Sequence, residues 1–155
     1  MQEDSIPFLS LQIRFTGGAS LDPSGKRGVT NLMTGLIEEG AGDLDATAFA
    51  ETRDGWAASF DFNVWADAMT VSTRMLTENR DEAIGLLRKA LVNPRFDEDA
   101  VERVRAQVLS GLRSDATDPN SIAGQTFDAM VYGDHPYAST SDGTLESVSA
   151  LSRDD

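Results

Sequence analysis

The chain has 155 residues and a formal net charge of −13, from 26 acidic against 13 basic side chains. That balance opposes nucleic-acid binding, which rests on phosphate neutralisation by cations. With one histidine and no cysteine, the chain cannot assemble a His- or Cys-based zinc site or a disulfide framework, and no apolar run approaches the length of a membrane span.

The length suits one domain over residues 1–155. Residues 8–15 alternate, with Leu9, Leu11, Ile13 and Phe15 on one side and Ser10, Gln12 and Arg14 on the other, as in a half-buried strand. Residues 28–39 carry Val29, Leu32, Met33, Leu36 and Ile37 at helical spacing, and Gly40 closes that helix. Asp45 is placed to cap a short helix over 46–53 that ends at Gly55. Two strands follow, one with Trp56, Ala58, Phe60 and Phe62 on a shared face and one with Met69, Val71, Thr73 and Met75. The stretch 63–67 joins them as a hairpin.

Residues 79–92 read as a helix with Ala83, Ile84, Leu87, Ala90 and Leu91 inward, ended by Pro94. Asp97 is expected to cap a long helix striped by Ala100, Val101, Val104, Val108 and Leu112. Asp118-Pro119 opens another helix that runs to about Tyr132. A helix start follows at 142–146. Hairpin-joined strands and clustered helices predict an α+β fold, an antiparallel sheet with helices packed mainly on one face.

Several residues invite a chemical reading. His135 lies in the loop Gly133-Asp134-His135-Pro136-Tyr137, and a lone imidazole without partners is expected to serve as a structural hydrogen-bonding group. Glu38 and Glu39 are adjacent on a helix, about 100° apart, and so do not form a converging pair. Gly17-Gly18 and Gly25-Lys26 fall short of a phosphate loop, because Ser20 stands at the first required glycine and Arg27 follows the lysine. Trp56 is expected in the core and Trp65 at a partly exposed turn.

One set of motifs goes further in combination. An apolar strand, a small-residue turn at 17–20, the lead Asp22-Pro23-Ser24-Gly25-Lys26-Arg27-Gly28 and a helix come first. Asn93-Pro94-Arg95-Phe96 and His135-Pro136-Tyr137 follow in order, then Asp142-Gly143-Thr144-Leu145-Glu146. In this sequence and spacing they resemble the pitrilysin/insulinase family of zinc metallopeptidases, which includes the mitochondrial-processing-peptidase-like proteins. The family's helix carries H-x-x-E-H. Aligned on Gly28 and Leu32-Met33, the first His falls at Asn31, the general-base Glu at Thr34 and the second His at Gly35. The family's distant ligand Glu falls at Gly111.

The resemblance therefore implies a non-catalytic homologue with no metal and no cofactor. Glycine is a poor helix former, so a larger residue at Gly35 is expected to be tolerated. The resemblance also implies the N-terminal part of a longer two-domain protein, with a returning strand beyond Asp155 and an open sheet edge through which the fragment self-associates. A catalytically active homologous subunit is the implied partner, an extended peptide the implied ligand, and a bacterial periplasmic or secreted address the implied location. In active relatives an edge strand pairs with peptide. Here that strand is 56–63, and its outward residues Ala57, Ser59 and Asp61 are small or short enough to admit one. The alternative reading is a scaffold that uses the fold without any peptidase partner.

Overall fold

The computed structural model describes residues 7–155. In chain order the elements are β1 (Phe8–Thr16), α1 (Val29–Leu36), β2 (Gly40–Ala41), β3 (Leu44–Asp45), α2 (Ala46–Gly55), β4 (Ser59–Val64) and β5 (Ala68–Leu76). Four helices follow: α3 (Arg80–Val92), α4 (Glu98–Asp115), α5 (Pro119–Tyr132) and α6 (Leu145–Ala150). Short 3-10 turns lie at Ala19–Leu21, Thr77–Asn79 and Pro136–Ala138. No described helix is long and apolar enough to cross a membrane.

The main sheet has the order β1-β5-β4, antiparallel throughout. Opposed residues share a face, so the register sets the two sides. Leu9 faces Met75, Ile13 faces Val71, and Phe60 and Phe62 of β4 face Thr73 and Val71. This side meets Ile37, Ala41, Phe49 of α2, and Ala83, Leu86, Leu87 and Ala90 of α3 to form one apolar core. Phe49 is wholly buried, its ring tilted against Phe60 at 6.3 Å. The opposite side is polar. Ser10, Gln12, Ser72, Arg74, Ser59 and Asp61 line it, and Gln12 Nε2 donates to Ser72 Oγ at 3.2 Å. This is the expected α+β layering, with helices on one face of an antiparallel sheet.

Several local expectations shift. Phe15 is 45% exposed and does not join the core. Leu86, not Ile84, turns inward on α3. The two lie on opposite flanks of the Ala83–Leu87–Ala90 stripe at 100° per residue, and at this level of the helix the Leu86 flank is the buried one. The strand expected from Trp56 begins at Ser59, because Trp56 ends α2 and Ala57 takes a positive φ of 49°. Asp45 caps α2 by accepting from the Ala48 N–H at 2.9 Å, and Asp118 caps α5 through the Ser121 N–H at 2.8 Å. Asp97 occupies the cap position of α4 but makes no cap bond. Its carboxylate is taken by Arg95, with Nε donating at 2.7 Å.

A second, smaller core joins α1 to α4. Leu32 and Leu36 pack with Ala100, Val101, Val104 and Leu151. The entry to α1 is held by Asp22, which accepts from the Gly28 N–H at 2.7 Å and from the Thr30 hydroxyl at 2.5 Å. Gly28 has φ +92°, and a β-carbon there would fall 2.6 Å from the Asp142 carbonyl. Between them Arg27 donates to four carbonyls. Nε reaches Thr140, Nη2 reaches Pro136 and Ser139 at 2.9 Å each, and Nη1 reaches Ala19. Ser147 returns the connection, its hydroxyl donating to the Arg27 carbonyl at 2.7 Å. The motifs around Gly28 and around Pro136–Gly143 thus co-occur because they are the two halves of one packed corner.

Candidate functional site

The four positions that the resemblance aligns with metal chemistry lie on two helices. Asn31, Thr34 and Gly35 are on α1 and Gly111 is on α4. Asn31 is half-buried. Thr34 is buried, and its hydroxyl is turned back to donate to the Asn31 carbonyl at 2.7 Å. A β-carbon at Gly35 would stand only 2.9 Å from Val104 Cγ1. The expected tolerance for a side chain at Gly35 is therefore corrected. α1 and α4 approach closely at this point, and a β-branched valine has little freedom to move aside. Gly111 stands two turns further along α4, with open space around it. None of the four residues offers an imidazole, carboxylate or thiolate, which are the donors that zinc takes. Among the described residues no cluster of three or more His, Asp or Glu side chains is placed to hold a metal ion.

His135 sits at the start of a 3-10 turn, where its Nδ1 accepts from the Tyr137 N–H at 3.2 Å. Its ring meets Tyr137 edge-on at 4.6 Å, and Tyr137 meets Tyr132 edge-on at 5.6 Å. The Tyr137 hydroxyl donates to Asp67, which raises its pKa, with burial adding to the effect. The histidine is thus part of a structural aromatic cluster. Trp65, at the hairpin tip, is 65% exposed as expected, and Trp56 packs partly buried against the main core.

The strand expected to meet an extended peptide is β4. β4 pairs with β5 and with no other strand among the described residues, so one of its sides carries no ladder. Ser59 and Asp61 are on β4 and exposed, in register with Arg74 and Ser72. Ala57 lies before the strand and does not belong to that edge. α1 runs beside β4. Where α1 ends, Arg53 Nη1 donates to Glu38 Oε1 at 2.6 Å and Arg53 Nη2 to Asp54 at 2.9 Å.

Burial holds the Glu38 carboxyl above its usual range despite Arg53, and the charges of Asp61 and Glu39 push the same way. The folded state therefore holds the Glu38 proton more tightly than the unfolded chain does. Its contribution to stability is full below the unfolded value of about 4.5 and is lost as pH rises through the higher folded value. Glu38→Gln should flatten that decline. Denaturant titrations across pH 4 to 7 that show the same slope in both proteins would contradict it.

An apolar groove of about 290 Å³ lies along α1, between Leu32, Met33, Phe96, Val101, Ser152 and Arg153.

Similarity to known proteins agrees with this degenerate helix. No protein-family model matches the chain. It is 29% identical over 97% of its length to a non-peptidase homologue, YmxG, from Helicobacter pylori, and spans 35% of that protein. It superposes with a TM-score of 0.91 on the crystal structure of a peptidase M16 inactive domain from Pseudomonas fluorescens, at 28% identity, covering 97% of this chain and 37% of that one. The chain is similar in sequence and fold to non-peptidase, inactive members of the pitrilysin (M16) peptidase family. Half of the chain is also 35% identical to an uncharacterized zinc protease of Mycobacterium leprae. A Helicobacter pylori protease shares the fold with a TM-score of 0.86 at 17% identity. The chain spans about a third of the length of these M16 relatives, apart from the shorter mycobacterial match.

Cysteine and histidine counts pointed towards this outcome, but Val104 was invisible to them. It emerged only from the helix–helix approach. The Asp67–Tyr137 and Arg27 contacts were likewise missed, since residues so far apart in sequence leave no local signal.

Proposed function

We propose that this chain is part of a non-catalytic subunit that helps bind or enclose peptide for a zinc-bearing M16 relative. The observation that carries the reading is a retained strand edge beside a helix stripped of donors. Among the described residues β4 keeps one side free of strand partners, with Ser59 and Asp61 exposed next to α1, while Asn31 and Gly35 stand at the positions that the resemblance aligns with the ligand histidines and Thr34 at that of the general base. An open edge offers backbone donors and acceptors to any extended chain and needs no metal to do so. On this reading the whole protein hydrolyses nothing alone and acts only with its partner.

The test is co-expression with an intact H-x-x-E-H relative from the same genome. Peptide hydrolysis should be absent for this protein alone and should rise when it joins the partner. Amides of β4 should gain hydrogen-exchange protection when substrate is added. If the partner is equally active without this protein, the subunit reading fails. A stable complex with no change in activity would favour the scaffold alternative.

A further inference from the structure

α5 is held at its two ends and hardly at all between them. Of its 14 residues only Ser121 and Asp128 are even half-buried, and both are polar. No apolar side chain of the helix is anchored in either core. Among the described residues, the element it meets closely is the 3-10 turn Pro136–Ala138, which follows it in the chain. Its hydrogen bonds outside the helix reach only the neighbouring Asp115, Asp118, Gly133 and His135 among the described residues. In place of a packed interface there is a cavity of about 370 Å³, with Gln125 and Ala129 on one side and Leu112, Ala116 and Leu145 on the other. A helix within a protein draws most of its stability from the apolar face it packs, and α5 lacks that contribution.

The pieces at either end are fixed. Before α5, Leu112 of α4 is buried. After it, Arg27 grips the carbonyls of Pro136, Ser139 and Thr140, and the Tyr137 hydroxyl donates to Asp67. Two turns, 116–118 and 133–134, join these pieces to the helix. Gly133 has a φ of +57° and open space about it, so the backbone can rearrange there with little steric cost.

We propose that α5 is a strap, which opens and recloses as one unit across that cavity while the sheet and the α1–α4 pair stay folded. Opening gives up the Ser121–Asp115 bond and the edge-on contact of Tyr132 with Tyr137, but almost no buried apolar surface. The open form therefore lies far nearer in free energy to the closed one than the unfolded chain does. The strap controls access to the wall of Leu112, Ala116 and Leu145. It does not depend on the subunit reading above.

The test is native-state hydrogen exchange. Amides of 122–133 should share one protection level, at least about a hundredfold below that of β5. Ala129→Leu extends an apolar side chain towards the cavity at little cost in helix propensity. It should slow exchange across all of 122–133 by about threefold or more and leave β5 unchanged. A longer form of the protein that carries this chain should give the same pattern. Protection of α5 equal to that of β5 overturns the proposal, since nothing then opens separately. Protection that rises residue by residue from the helix ends also overturns it, since that is fraying. So does an Ala129→Leu variant whose α5 amides are unchanged, or whose β5 amides slow equally. If α5 is weakly protected in this chain but matches β5 in the longer form, the rest of the protein holds the helix shut, and the proposal is likewise overturned.

Discussion

Replacing Arg27 by alanine should destabilise the fold by about 2–4 kcal/mol, since four carbonyls lose a charged donor at one partly buried corner. For a chain of this size that is a fall in Tm of roughly 5–10 °C. The carbonyls of Ala19, Pro136, Ser139 and Thr140 belong to two loops that are otherwise joined mainly by the Ser147 hydroxyl and by the close passage of Gly28 and Gly143. The loss should therefore be local first. Hydrogen exchange at 136–143 should accelerate by more than exchange on β5. Lysine at this position can reach one or two of the acceptors and should recover part of the stability. A melting temperature unchanged within two degrees would show that water replaces the guanidinium at little cost.

Zinc binding should be recoverable, but only if the helix pair is reopened. Asn31→His, Thr34→Glu, Gly35→His and Gly111→Glu together restore the family's donors, with two imidazoles at i, i+4 on one face of α1. With Gly35→His alone the new side chain collides with Val104, and overpacking of this kind costs about 1–3 kcal/mol. Adding Val104→Ala provides the space. The five-site variant should bind zinc at least about a hundredfold tighter than the parent, a gain of about 2.7 kcal/mol, read by competition with a chromophoric chelator. The four-site variant should melt lower and bind more weakly. If both variants fold and neither binds zinc better than the parent, the assignment of these positions is wrong.

Those two corners also mark where the sequence was readable. β1, β4–β5, α2 and α5 were legible because their signals are local: strict alternation, a hairpin turn, and aspartates one residue ahead of a helix. Leu86 and Ile84 were not separable, since both flank the same stripe and only the position of the sheet decides between them. Asp97 looked like a cap, yet Arg95 two residues earlier competes for the same carboxylate. The true cap of α6 is Thr144, paired reciprocally with Ser147, and a serine at that third position lacks the Glu or Gln that usually advertises the box. The degenerate site was legible as missing donors. Its steric closure was not, because Gly35 and Val104 are far apart in the chain and glycine announces no partner.

The strand order has a consequence for how the chain assembles. β5 lies between β1 and β4, so β1 pairs with residues that follow it by more than fifty positions, while β4 and β5 meet across a three-residue tip. Closing the long loop is entropically slower than closing the hairpin. On a ribosome β1 is made first, but it must wait, with Leu9, Leu11 and Ile13 bare, until Leu76 has emerged. During that interval it is an unpaired apolar strand, and the first structure to close around it sets whether the sheet forms or the nascent chains pair with one another.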